Sequence, residues 1–170
     1  MGFEKYGLSV LWVGMPGMQW YSLVSIVHSL INAVGIPKAV IIHCGGNDLG
    51  CTPNGNLLFH LRFALYVVMK MLPGCFVIYS SILPRSNWRF SDNVDAMEKT
   101  RKRVNRGVRS FLLNNNGFYI HHSDLDDGHE ALLSSDGVHL SFLGNDIFIN
   151  ALQSALEQFI LYPHNRRFPS

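Results

Sequence analysis

At 170 residues, 48% of them apolar and 15% charged, the chain has the size and composition of one globular domain. A chain of this length hides roughly two-thirds of the surface its unfolded form exposes, which excludes intrinsic disorder, a disulfide mini-scaffold and a collagen-like repeat. A net charge of +2 announces neither a nucleic-acid nor a membrane partner.

Strand-like and helical runs alternate along the chain. Residues 9–13 are short, apolar and β-rich, which predicts a first strand. Residues 18–34 place Leu23, Val27, Leu30 and Val34 at helical spacing, and Gly35-Ile36-Pro37 ends that helix. Residues 39–42 are a continuous apolar run, the pattern of a strand covered on both faces. A Gly- and Asn-rich loop over 45–55 leads to an apolar helix over 56–72, broken by Pro73-Gly74. Residues 75–82 read as another buried strand. Residues 92–115 form the most regular amphipathic helix, with Val94, Met97, Val104, Val108 and Phe111 on one face. Lys99, Lys102, Arg103, Arg106 and Arg109 fall on the opposite face. Residues 118–121 predict a last strand, and Ser141 can cap a closing helix carrying Phe148, Leu152 and Phe159 on its buried face. The order β-α-β-α-β-α-β-α predicts a parallel sheet between helical layers.

Cys44, Cys51 and Cys75 are odd in number and form no Cys-x-x-Cys pair, which argues against a disulfide framework or zinc site and for an intracellular, cytoplasmic setting. The N-terminus lacks the basic-then-apolar layout of a secretory signal. The longest apolar stretch, 57–72, is interrupted by His60, Arg62 and Lys70 and is too short to span a bilayer. No cofactor and no membrane partner are expected.

In such folds ligands gather at the C-terminal ends of the strands. Three loops there carry chemistry: residues 14–20 after the first strand, His43-Cys44-Gly45-Gly46-Asn47-Asp48 after the second, and Asp136-Gly137-Val138-His139-Leu140-Ser141 before the last helix. Asp136 and His139, three apart in one turn, can face each other so that the Asp fixes the imidazole tautomer of a general base. The same spacing also suits an Asp capping its own turn beside an exposed His. Gly46-Asn47 at a strand end permits close approach and offers an amide which, with the Gly17 N–H, suits a developing oxyanion. It suits an ordinary turn equally well.

Taken together, Gly17, Gly45-Gly46-Asn47-Asp48 and Asp136-Gly137-Val138-His139-Leu140-Ser141, in that order on one edge of an α/β sheet, resemble blocks of the SGNH (GDSL-like) hydrolase superfamily. The resemblance covers nearly the whole chain. More narrowly, Leu11-Trp12-Val13-Gly14-Met15-Pro16-Gly17-Met18-Gln19-Trp20 and the segment 82–89 look like vertebrate esterase-like domains, including those of fish LINE-type retrotransposons. The resemblance implies a flavodoxin-like three-layer α/β/α fold and an ester hydrolase acting on a small ester. It implies Gly17 and Asn47 as oxyanion donors, Gly46 and Gly14 as supporting positions, His139 as base and Asp136 as its orienter.

The superfamily's nucleophile is a serine after a strand that lies upstream of the Gly17 loop. Residues 1–8 contain no such segment, and Ser9 begins a predicted strand instead of ending one. The expectation is therefore a single truncated domain over 1–162 without its first strand-helix unit, inactive or impaired, followed by a basic, flexible tail over 163–170. By the family's strand order the absent strand lies between those carrying Gly17 and Asn47, leaving a gap of about 9.6 Å. Either the two strands close up, or unpaired edges invite self-association.

Other groups near these loops read as structural. Cys44 and Cys75 are expected to be packed, His43 to be a satisfied strand-end residue, and Ser80 and Ser81 simply end a strand. His121, His122, Asp124, Asp126 and Asp127 read as a solvated loop, not a metal site. The basic face of the 92–115 helix, with Arg166 and Arg167, opens an alternative: a non-catalytic module binding nucleic acid or protein.

Overall fold

The computed structural model describes residue 7, residues 9–126 and residues 129–169. Four parallel strands, β1 (Ala39–Ile42), β2 (Phe76–Ser80), β3 (Phe118–Ile120) and β4 (Arg167–Phe168), form one sheet in the order β1-β2-β3-β4. The helices are α1 (Leu23–Val34), α2 (Asn54–Met71), α3 (Val94–Asn114) and α4 (Phe142–Leu161). Alternate residues of each strand face opposite layers. Val77, Tyr79 and Tyr119 pack with Leu23 and Val27 of α1, Leu61 and Leu65 of α2, and Val104 and Val108 of α3. Ile78, Phe118 and Ile120 pack on the other face against Leu152, Ala155 and Phe159 of α4. The result is the expected three-layer α/β/α arrangement.

Helix ends follow local chemistry. Asn93 caps α3 by accepting the Ala96 N–H at 2.9 Å, and Ser141 caps α4 by accepting the Gly144 N–H at 3.1 Å. Among the described residues, no helix is long and apolar enough to cross a membrane.

The sequence-based elements differ from the structure in three places. Residues 9–13 are not in the sheet; Val10, Leu11, Trp12 and Val13 are exposed and line a groove whose far side includes β1. A strand needs a ladder partner roughly 4.8 Å away, and this segment stands across the groove from β1 instead of beside it. The two strands therefore do not close up, and β1 ends the sheet. The residues expected as a flexible tail instead supply β4: Tyr119 N–H donates to the Arg166 carbonyl at 3.0 Å and His121 N–H to the Phe168 carbonyl at 2.7 Å. These bonds satisfy donors that β3 would otherwise leave open.

The third difference concerns the amphipathic helix. Its buried stripe contains Arg101 and Asn105 beside Met97, Val104, Val108 and Leu112, while Val94 is exposed. Asn105 both accepts the Ile82 N–H and donates to the Ile82 carbonyl, each at 2.9 Å. Arg101 donates to that same carbonyl at 2.9 Å and pairs with Glu98 and Asp126. Burial lowers the Arg101 pKa, but the hydrogen bonds and charges of those two carboxylates outweigh it and the pKa ends raised. This polar clamp grips the Ile82 peptide just past the end of β2 and fixes the start of the 82–89 loop.

Candidate active site

The Gly17 and Asn47 loops meet directly. Met15-Pro16-Gly17-Met18 has the composition of a type II turn, with Pro second and Gly third; Gly17 adopts φ +67°, and Met18 N–H donates to the Met15 carbonyl at 3.2 Å. Asn47 Nδ2 then donates to the Met18 carbonyl at 3.0 Å, and Trp20 N–H donates to Asp48 Oδ2 at 3.2 Å. Trp20 stacks on His60 of α2, with ring centroids 4.5 Å apart. Asp48 is buried, which raises its pKa against the opposing hydrogen bonds from Trp20 and Gln19. The two loops are thus stitched together without a strand between them. Gly14 lies on the exposed stretch before this turn, with no hydrogen bond tying it to Asn47.

Arg85 is the residue that sequence reasoning missed. Both its terminal nitrogens donate to Asn47 Oδ1 at 3.3 Å, and Nη1 also reaches the Gly46 carbonyl at 3.5 Å. Its guanidinium lies 5.4 Å from the centroid of the buried Trp88 ring. Burial lowers its pKa, and the charge of Asp136 opposes that shift, so Arg85 links the Asn47 loop electrostatically to Asp136. The hint in the sequence was its place in the 82–89 loop, but nothing in that segment pointed to a carboxamide partner.

Asp136 and His139 do come together. His139 Nδ1 and Asp136 Oδ2 are 2.6 Å apart, while Asp136 Oδ1 accepts the N–H groups of Val138 at 2.9 Å and His139 at 3.0 Å. The hydrogen bond from the His139 ring and then those main-chain donors hold the Asp136 carboxyl far below its ordinary range. One Asp136 oxygen thus faces the His139 ring while the other caps the turn. The His139 side chain is 80% exposed, and Nδ1 makes its hydrogen bond to Asp136. The turn is docked on the 82–89 loop: Ser86 and Asn87 donate their N–H groups to the Gly137 carbonyl at 3.0 and 3.1 Å. Gly137 has φ +68°, and a Cβ there would collide with Ser86 Oγ.

The other candidate groups behave structurally. Cys44 is buried, which pushes its thiol up to about 12, with the charge of Asp48 adding to the shift. Burial raises the Cys75 thiol to about 11 against a hydrogen bond with the Val40 main chain. Neither is a thiolate near neutral pH. Ser80 is fully buried and lies between two imidazoles, 3.0 Å from His43 Nδ1 and 2.7 Å from His122 Nε2. The solvated-loop reading of residues 121–127 is corrected for two of them, because His122 is buried against Ser80 and Asp126 pairs with Arg101. Asp127 lies outside the described residues. Desolvation, then the neighbouring His43 and His121, lower His122 to about 3. His43 opens onto the groove on one side and is crowded on the other; desolvation and then the Arg85 charge lower it to about 4, a main-chain hydrogen bond at Ser80 opposing.

No family model matches the chain, and no curated protein matches its sequence. Solved structures match it in fold. A GDSL-like lipase from Bacteroides thetaiotaomicron superposes with a TM-score of 0.71 at 19% identity, covering 92% of this chain and 78% of its own. The protein TesA gives a TM-score of 0.69 at 14% identity, covering 91% of this chain and 82% of its own. In layers, sheet and strand direction, the chain has the α/β fold of the GDSL-like lipases.

Proposed function

We propose that the chain is an SGNH-type hydrolase domain acting on small esters, with His139 as base and Gly17 and Asn47 as oxyanion donors, impaired in this form because no serine of the sequence stands in a Gly-Asp-Ser or Gly-His-Ser segment. His139 takes the proton of the attacking oxygen, Asp136 fixes its tautomer and stabilises the imidazolium, and the Gly17 N–H and the second Asn47 Nδ2 hydrogen face the carbonyl oxygen as it gains charge. The observation supporting this most strongly is the 2.6 Å contact between His139 Nδ1 and Asp136 Oδ2, with the His139 side chain exposed. With no serine to acylate, the attacking oxygen is that of a water, and its attack still draws on His139 as general base and on the oxyanion donors. Purified chain is therefore expected to hydrolyse p-nitrophenyl butyrate slowly but faster than His139→Ala and Asn47→Ala. Equal rates for all three would overturn the assignment.

A second reading rests on the basic face of α3, where Lys99, Lys102, Arg103 and Arg106 are exposed and Arg109 is half-buried. It makes the chain a non-catalytic module, of retrotransposon origin by sequence likeness, that contacts nucleic-acid phosphates. Salt-dependent binding to single-stranded RNA, lost when these five residues are changed to Gln, is its expected signature. Binding that survives the change counts against it.

A further inference from the structure

Helix α2 is apolar on its outer side as well as its inner one. Leu57, Leu61, Leu65 and Val68 fill the core, while the opposite ridge carries Phe59, Phe63 and Tyr66, which are 64%, 59% and 46% exposed. Core packing accounts for the first row and leaves the second without a role in the fold. Spacings of four and three residues put the three rings in line on one face, roughly 6 and 4.5 Å apart along the helix axis. Phe59 is held in place, because its ring meets His60 edge-on at 5.5 Å and His60 stacks on Trp20. At the end of the row the Lys70 ammonium stands 5.4 Å from the centroid of the Tyr66 ring.

Helix α3 runs alongside this row. Arg62 donates to the Gly107 carbonyl at 3.3 and 3.0 Å, Asn54 donates to Thr100 Oγ1 at 3.3 Å, and Leu58 packs where a Gly107 Cβ would stand. These contacts run the two helices parallel, with residues 45–46 apart in sequence level with each other. Phe59 is thus level with the turn that bears Arg103 and Arg106. Lys99, Arg103 and Gly107 follow one another at intervals of four, so both cations lie on the stripe that borders α2. Both are exposed, as is Arg106 beside them. Lys102 and Arg109 turn away from α2, and the Arg109 charge acts on Tyr119 and His121 instead. Helices α1 and α2 contain no Asp or Glu, and α3 contains none after Glu98, which pairs with Arg101. On the other flank of α2, α1 carries no Lys or Arg.

A row of flat rings with cations along one side matches a strand whose bases stack while its phosphates lie to one side. The steps between rings exceed the ~3.4 Å rise per nucleotide of a stacked strand, so each ring can take a base only from a strand that has unstacked. Paired bases in a duplex offer no such faces. An anionic membrane asks for no such sidedness of charge.

We propose that the outer faces of α2 and α3 form one binding surface for single-stranded nucleic acid, with bases stacked on Phe59, Phe63 and Tyr66 and phosphates held by Lys99, Arg103 and Arg106. This rests on the reading of α3 as a phosphate-contacting face and adds to it the part that meets the bases. His139 takes no part in it.

The probe is a fluorescein-labelled single-stranded RNA of about 12 nucleotides, titrated with the whole chain and followed by anisotropy at several salt concentrations. Three phosphate contacts give a slope of log K against log salt of about −2. Phe59→Ala and Phe63→Ala are each expected to weaken binding about tenfold with that slope and the far-UV circular dichroism unchanged, and Phe63→Trp to restore it. Arg103→Gln reduces the slope by about 0.7, whereas Lys102→Gln leaves it alone. An abasic strand of the same length binds the parent no better than the intact strand binds Phe63→Ala. Absence of RNA binding overturns both this proposal and the reading beneath it. Binding that is lost when the five basic residues become Gln, yet is indifferent to Phe59→Ala and Phe63→Ala, leaves that reading standing and overturns this one. Phosphatidylserine–phosphatidylcholine vesicles that bind the chain through Phe59 and Phe63 while the RNA does not give the patch to a membrane surface, and overturn it too.

Discussion

Arg85 donates both terminal nitrogens to Asn47 Oδ1 at 3.3 Å, while Asn47 Nδ2 donates to the Met18 carbonyl at 3.0 Å. The two contacts together decide which end of the carboxamide faces which loop, and so where the remaining Nδ2 hydrogen points. Arg85 is thus a positioning residue for the candidate oxyanion donor. Replacing it with Met is expected to lower His139-dependent ester hydrolysis about 10–100-fold through kcat, with KM little changed, because displacement of a donor by roughly 1 Å costs that much. Lys is expected to rescue only partly, since it lacks the planar fork. The Asn47 side-chain amide resonances in a ¹⁵N spectrum report the same loss independently; an unmoved Asn47 signal in Arg85→Met would refute the positioning role.

Gly137 sits at the hinge of the His139 turn. Gly137→Ala forces a side chain into φ +68° and against Ser86 Oγ, so it is expected to destabilise the chain by about 1–3 kcal/mol. Thermal denaturation measures the loss. A melting temperature within a degree of the parent would mean that the turn relaxes freely.

The Ile82 clamp makes a separate prediction about stability. Asn105→Ala leaves both the N–H and one bond to the carbonyl of Ile82 without their partner, at a cost of about 2–4 kcal/mol. Asn105→Asp, which keeps the acceptor and loses the donor, is expected to fall between the two in urea denaturation. Parent-like stability for Asn105→Ala would show that solvent replaces the clamp.

The imidazoles around Ser80 set an acid limit. His43 and His122 are lowered to about 4 and about 3 in the folded chain, against roughly 6.5 when unfolded. Between those values the unfolded chain binds protons that the native one does not. Their contribution is therefore complete above about pH 6.5 and is lost as the pH falls through 4 and towards 3. Urea unfolding between pH 7.5 and 4 is expected to show falling stability, with the slope reduced by about one proton in His122→Asn. Identical slopes in the two proteins would place the acid response elsewhere.

Asp136→Asn tests the orientation of the base. The amide keeps the shape of the turn but no longer holds Nδ1–H with a charge, so hydrolysis is expected to fall towards the rate of His139→Ala while the melting temperature changes little. Retained activity would remove Asp136 from the mechanism.

Periodicity and local turn chemistry made much of this protein legible from its residues. The apolar runs at 39–42 and 75–82 became β1 and β2 because strands buried on both faces must be apolar throughout. Ser141 capped α4, and Asp136 met His139, because both contacts span only a few residues and depend on little else. What tertiary structure decided was everything that needed a distant partner. Residues 9–13 have strand composition but no ladder beside them, whereas Arg167 and Phe168 look like tail and pair with β3 because its edge donors need acceptors. Nothing local marks Arg101 or Arg85 for a partner, yet one donates to the Ile82 carbonyl and the other to Asn47 Oδ1. A residue's chemistry is written in the sequence, but which unsatisfied carbonyl or open strand edge it meets is fixed only when the sheet and its loops come together.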